Sequence, residues 1–341
     1  MRGLWKYISP FAPDQSGTAA VLYGLGGIVV ICDAGGCAGN ICGFDEPRWF
    51  SGKKSAVFSA GLRDMDAILG RDDRLIDKLC LAASQIDATF AAIVGTPVPS
   101  VIGTDYLALQ RMAEKKLDLP ILTVDTTGME LYDVGMEKAY DALFHRLPQR
   151  DVAKEDNTVG VIGAVPLEMM ESHDVEMIRE TLEAQGKVVR MYDCFDDFVH
   201  AGAVTKNLVV SPTGIKAAKY LEKTFGIPYE MAYFGLEKRF PQVSSWAQKK
   251  ILIVHQQTAA NALRDYILSQ VEADVTVASW FMLHKDQRQD GDIHLKEEDD
   301  WCSLADNDTY DIIIGDVYFQ KALPHFRGDY IDFPHFAVSG R

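Results

Sequence analysis

Half of the chain's six cysteines fall in one short turn, Cys32-Asp33-Ala34-Gly35-Gly36-Cys37-Ala38-Gly39-Asn40-Ile41-Cys42. Thiolates are the soft ligands that hold iron–sulfur clusters and zinc. The spacing, four residues between successive cysteines, departs from the zinc pattern of close pairs repeated further along the chain. A cubane cluster needs four ligands, so one loop is one thiol short. Two copies meeting across a two-fold axis would supply four, as Cys37 with Cys42, or Cys37 with Cys32, from each chain. Gly35, Gly36, Gly39 and Gly43 would let backbone approach a cluster, and Gly36 is counted with the cysteines as a cofactor-binding position. The plainer alternative makes Cys32 a small apolar residue ending a buried strand, with Cys42 packed nearby. Cys80 reads as core, and Cys194 and Cys302 are isolated.

A second set of residues follows the carboxyl ends of apolar runs, where open α/β sheets bind their ligands. Ser211 and Thr213 open a helix whose amides favour anions. His255, within His255-Gln256-Gln257, has an imidazole able to bind metal or move protons. Gly163-Ala164-Val165 and Gly315-Asp316 stand at equivalent points. Ser211, Thr213, His255 and Asp316 are therefore the candidates for lining a substrate cleft. The competing role for each is a helix cap or turn. Trp49 and Phe50, just beyond the cysteines, would shield a cluster, form a dimer face or pack in the core.

These residues need elements to place them. Short β-branched runs alternate with amphipathic helices throughout, which predicts an α/β fold: three Rossmann-like domains, each a mostly parallel sheet flanked by helices. The expected limits are 1–150, 151–248 and 249–341, with the polar stretch Pro148–Asn157 and Phe240-Pro241-Gln242 at the breaks. The first segment should hold strands at Gly27–Cys32, Ala56–Ser59, Thr89–Val94 and Ile121–Val124. Helices are expected over Asp72–Ile86, capped by Asp72 or Asp73, and over Val134–His145. The second should hold strands at Val159–Ile162, Lys187–Met191 and Asn207–Val210, with helices over Leu167–Gln185 and from Pro212 to Gly226. The third should hold strands at Lys250–Val254, Ala273–Ala278 and Ile312–Ile314 and a helix over Thr258–Gln270. The polar excursion Lys285–Asp300 reads as a surface loop.

The 341 residues include 49 acidic and 34 basic ones, for a formal net charge of −15. An acidic chain without a Lys/Arg block repels phosphate backbones, so nucleic acid is not an expected partner. No apolar run reaches membrane-spanning length, and the first residues lack a signal-peptide h-region. The expected location is the cytoplasm, with reduced thiols. The chain has no G-x4-G-K-[ST] phosphate loop.

Four stretches resemble the nitrogenase component 1 family. Leu25–Cys37 is similar to its strand, glycine-rich turn and cluster cysteine. Asp66–Leu75 is similar to its glycine, charged-pair and helix element, and Val94–Asp105 to the segment that carries another cluster cysteine and ends in isoleucine-glycine-acid-acid. Asn207–Pro212, Lys216–Lys223 and Gly226–Tyr229 together form the fourth. Phe333-Pro334-His335-Phe336 also resembles its last core strand. The size is similar to the smaller nitrogenase-like reductases.

The resemblance implies an oxidoreductase fed by a separate ATP-hydrolysing reductase with its own iron–sulfur cluster. It also implies a [4Fe-4S] cluster shared between subunits of a homodimer or paralogous heterodimer, held at Cys37, Cys42 and Cys32. Electrons would pass to a substrate or cofactor in the interdomain cleft. The alternative is a scaffold or carrier for a metal cluster, metal ion or tetrapyrrole. The departures are Pro97, where many members place a cysteine, and Ser9–Gly17, which lacks one. Ser211 stands where the nitrogen-fixing subunit anchors its cofactor cluster, so that cluster is not expected.

Overall fold

The computed structural model describes residues 5–45, 55–150 and 152–340. Among the described residues thirteen strands form three all-parallel sheets, each from one stretch of chain. The first joins β1 (Ile28–Ile31), β2 (Ala56–Ser59), β3 (Ala91–Val94) and β4 (Ile121–Val124) in the order β2-β1-β3-β4. The second joins β5 (Thr158–Ile162), β6 (Val188–Arg190), β7 (Lys206–Val209) and β8 (Tyr229–Met231) as β6-β5-β7-β8. The third joins β9 (Lys250–Val254), β10 (Asp274–Ser279), β11 (Ile293–His294), β12 (Ile312–Gly315) and β13 (Asp329–Asp332) as β11-β10-β9-β12-β13. β1, β3 and β12 are buried along their whole length, as strands covered by helices on both faces must be.

Strand order reverses direction beside the opening strand of each sheet, between β1 and β3, β5 and β7, and β9 and β12. Such switch points leave a crevice beyond the carboxyl ends of the strands. Cys32, His255 and Asp316 each follow directly on a strand flanking one of these points, and Ser211 stands one residue beyond the end of another, β7.

Two helices cross at the centre. Asp14–Leu22 is buried along its whole length and packs on Tyr132–Arg146. They meet at glycines. A Cβ on Gly17 would lie 1.8 Å from the Tyr132 carbonyl oxygen, and one on Gly135 would lie 1.7 Å from that of Asp14.

The chain's first described residues reach across to the third sheet. Ile8 is buried in the core formed by Leu252, Val254 and Trp301. The Glu298 carboxylate accepts from three successive amides, Lys6, Tyr7 and Ile8, at 2.8–2.9 Å. Hydrogen bonds to a charged group are among the stronger ones. Glu298→Ala should therefore destabilise by about 2–3 kcal/mol. Deuterium uptake over residues 5–11 should rise well before that of the sheets.

Several expectations change. The helix expected over Leu167–Gln185 runs only from Asp174 to Ala184. Pro166–Glu168 is a single tight turn, followed by extended Met169, whose carbonyl accepts from Phe336. Met169 and Met170 enter different cores, and these tertiary contacts outweigh local helix propensity. Arg71, not Asp72 or Asp73, is the cap position of helix Asp72–Gln85, and the two aspartates sit in its first turn. The excursion Lys285–Asp300 is not simply a surface loop. It contains β11 and the start of helix Glu298–Ala305, and it buries Asp292 against Arg264 at 2.5 Å. β13 ends at Asp332, so Phe333–Phe336 follows the last strand instead of forming it. Helix Asp14–Leu22, β8 and β11 were not anticipated.

Candidate functional site

Cys32 ends β1 with its amide bonded to Val94 (2.8 Å) and its carbonyl accepting from the Thr96 hydroxyl (2.7 Å). It is 2% exposed, in the core of Val30, Leu75 and Leu109. Burial first, then Asp33 and Asp72, push its thiol up to about 12. Asp33 organises the turn. It accepts from Ser59 Oγ (2.5 Å) and from the Ala38 amide (2.8 Å), the latter in the short helix Gly36–Asn40. Gly35 adopts φ +123°, a left-handed geometry that glycine tolerates.

Cys37 lies on that helix, half-buried against a different core from Cys32. A wider π-type turn, Ile41–Asp45, follows and carries Cys42 exposed. Burial and then Asp33 raise both thiols, and the Thr96 hydroxyl works the other way at Cys37. Burial and Asp33 thus favour the protonated thiols, and among the described residues no cation opposes them. The ligand atoms of Cys32, Cys37 and Cys42 do not converge within 4.8 Å. Among the described residues the one group that does is Asp193, Cys194 and Asp197, whose two carboxylates already pair with Arg179 (2.6 Å) and Arg190 (3.3 Å).

Among the described residues, a Cβ added at Gly35, Gly36, Gly39 or Gly43 would meet nothing within 4 Å. Two helices begin beyond the strands flanking β1, Asp64–Leu69 after β2 and Pro97–Ile102 after β3. They expose Met65, Ile68, Leu69, Val98, Val101 and Ile102, with Val101 at 81% and Ile68 at 74%. Concentrated apolar exposure is characteristic of interaction surfaces. Trp49 and Phe50 lie outside the described residues.

The strand-end residues form the junction of the three sheets, and it is closed. Ser211, Thr213, His255 and Asp316 are each buried. Ser211 Oγ accepts from the Thr213 amide (3.1 Å) and bonds the Thr213 hydroxyl (2.8 Å). Asp316 accepts from the amides of Tyr318 (2.9 Å) and His335 (3.0 Å). His255 Nε2 meets the Pro334 carbonyl and its Nδ1 accepts from Gln256, both at 2.9 Å. Burial lowers its pKa to about 4, partly opposed by that carbonyl.

Four further residues share the junction: Tyr132, Glu168, Tyr233 and His335. The His335 ring stacks on His255 (centroids 4.4 Å apart), and its Nε2 lies 2.9 Å from the Tyr132 hydroxyl. Glu168 is fully buried beside the Tyr132 and Ser211 hydroxyls, without complete hydrogen-bond geometry to either. Burial raises it to about 7; the two hydroxyls oppose that rise and Asp133 adds to it. His335 could have been found by the argument that singled out His255, a histidine just past a strand. Nothing local marks Glu168, which reads as one more helical glutamate.

The Nitrogenase component 1 type Oxidoreductase family model matches residues 16–239, more than half of the chain. The nitrogenase iron-molybdenum cofactor biosynthesis protein NifE of Clostridium pasteurianum is 24% identical over 187 residues, which cover 53% of this chain and 40% of that protein. The chain thus spans well under half the length of that curated relative. A solved structure of nitrogenase Cp1 at pH 6.5 superposes with a TM-score of 0.73 at 13% identity, covering 100% of this chain and 88% of that one. Cp1 at pH 5 gives 0.62 at 16% identity, over 85% and 70%. The fold is that of nitrogenase component 1, and the chain belongs to the nitrogenase component 1 type oxidoreductase family.

Proposed function

We propose that the chain is a nitrogenase-like oxidoreductase subunit in which Cys37 and Cys42 bind iron–sulfur at a contact with a second chain. The observation that carries this reading is the pair of accessible thiols at the β1/β3 switch point, among glycines where an added Cβ meets no described residue within 4 Å. Cys32 is buried on another side of the sheet, so the reading favours Cys37 with Cys42 over Cys37 with Cys32. Two thiols per chain give the four ligands of a cubane only when two chains meet. The apolar helices Asp64–Leu69 and Pro97–Ile102 offer them a surface on which to do so.

When bound, a [4Fe-4S] cluster accepts and releases single electrons. The chain's own residues position and insulate. Asp33 holds the turn, Gly36 and its neighbours keep side chains clear, and Thr96 ties the loop to β3. Electrons would come from a separate ATP-hydrolysing reductase with its own cluster, since this chain lacks a phosphate loop. They would go to a substrate or cofactor at the junction near Ser211, Thr213, His255 and Asp316. The partition 1–150, 151–248 and 249–341 belongs to this reading, as does placement in the cytoplasm. No helix among the described residues is long and apolar enough to cross a membrane.

Anaerobic reconstitution with ferrous iron and sulfide tests the proposal. A brown dimer with near-stoichiometric iron and sulfide and a reducible paramagnetic signal is the expected result. A colourless, iron-free chain would overturn it. A second reading, a scaffold or carrier, is favoured by the similarity to NifE and by the sealed junction. It predicts a dimer that loads iron but passes no electrons onward in single-turnover experiments with a reductase.

A further inference from the structure

Glu168, Tyr132 and His335 come from three separate stretches of chain. Glu168 follows β5, Tyr132 opens the helix after β4, and His335 follows β13. Tyr132 and His335 are hydrogen-bonded in the closed junction and Glu168 lies beside Tyr132, all three at most 1% exposed. The Tyr132–His335 hydrogen bond (2.9 Å) ties the first sheet's helix to the third sheet's last turn. Beside it, the Phe336 amide donates to the Met169 carbonyl (2.9 Å) and so joins that turn to the second sheet's loop.

We propose that these three residues form a proton-controlled latch across the three-sheet junction. It is shut while Glu168 is a carboxylic acid and loosened when Glu168 becomes a carboxylate.

The chemistry follows from the count of donors. A protonated Glu168 offers an O–H to the Tyr132 oxygen. Tyr132 is then free to give its own proton to His335 Nε2, and every member of the chain is neutral. An ionised Glu168 is acceptor-only. It competes with His335 for the single Tyr132 proton and, with only the Ser211 hydroxyl as a further donor beside it, is left a charge without full hydrogen bonds in a dry site. Opening admits water to the carboxylate. In that step the Glu168 O–H bond breaks and its proton passes to bulk solvent; nothing is oxidised or reduced. The latch is independent of whether the cysteine turn holds iron.

The surrounding groups fix the sign. Asp133, next to Tyr132, is buried and also raised, to about 6, and it accepts from Met282 (2.6 Å) and Val134 (2.9 Å). Asp14, on the packed helix Asp14–Leu22, is engaged by the Thr127 and Gly128 amides. Tyr233 and Ser211 face the site as hydroxyls, and Phe336–Ser339 carries no charge. Raised carboxyls hold protons in the shut form, so their contribution is full below the ordinary carboxyl range and is lost as pH rises through the raised value. The two histidines are held neutral, so their contribution runs the other way, lost as pH falls. In the wild type the opposing slopes partly cancel, and a single variant uncovers them.

Hydrogen exchange on the full chain from pH 4.5 to 8, corrected for intrinsic rates, is read at Phe336 and the residues after it, for wild type and Glu168→Gln. The ratio of opening constants, wild type over variant, should climb about tenfold per pH unit from the ordinary carboxyl value to about 7 and then level, about 300-fold in all. A pH-independent ratio overturns the latch. Infrared difference spectra stand even if that variant folds poorly. Wild type at pH 5.5 should show a buried protonated-carboxyl band that persists in Asp133→Asn and fades by pH 8. A wild-type spectrum without such a band overturns the proposal as well.

Discussion

Cys37→Ala should emerge from anaerobic reconstitution colourless, without iron after gel filtration. Cys42→Ala should behave alike. Each substitution leaves two thiols where four are needed, because each is repeated in both chains of a dimer. Neither should unfold the protein. Cys42 is exposed and Cys37 half-buried, so the lost packing is small. Cys32→Ala should do the reverse. Its thiol is 2% exposed in an apolar core, so the variant keeps its iron and loses about 1 kcal/mol of stability to a small cavity. Iron content, absorbance near the charge-transfer bands and thermal unfolding separate the three. Iron retained by Cys42→Ala but lost from Cys32→Ala would move the ligand pair to Cys37 with Cys32. Iron retained by all three would remove the turn from the site altogether. Mixed dimers add a sharper test. One wild-type and one Cys37→Ala chain should bind iron weakly or not at all.

Gly135→Val should yield no folded chain, and Gly17→Ala should be almost as damaging. The obstruction at both positions is backbone, the carbonyls of Asp14 and Tyr132, so no rotamer change on either helix can relieve it. The helices must move apart by more than an ångström. That would uncover Ala19, Met136, Ala139 and Tyr140, all buried in the largest core of the protein. Overpacking alone costs about 1–3 kcal/mol, and a shift of two central helices adds lost burial to it. Soluble yield and circular dichroism decide the matter. Gly39→Ala serves as the control, since a Cβ there meets no described residue within 4 Å. A well-folded Gly135→Val would mean the central helices are not packed as described.

The cysteine turn was legible from the chain because its signal is local. An apolar run, a glycine-rich turn and three cysteines are neighbours in sequence, and the structure keeps Ile28–Ile31 as a strand with Gly36–Asn40 as a short helix after it. Helix Ile215–Phe225 was equally readable, with Ser211 before it and Gly226 at φ +67° after it. The shortened helix Asp174–Ala184 was not. Its first expected turn is claimed by contacts with Phe336, more than 160 residues away.

Composition, β-branched runs and turn residues by themselves determined a parallel α/β chain and put Cys32, Ser211, His255 and Asp316 at strand ends. Period and punctuation are properties of neighbouring residues, and they survive without a partner. Tertiary structure alone decided that Cys32 and Cys37 face different cores, and that Ser211 and His255 are sealed in. It alone brought Glu168 to Tyr132 and His335. Those outcomes depend on how three sheets approach one another. That approach is set by close contacts such as Gly17 on Tyr132, which no local pattern records.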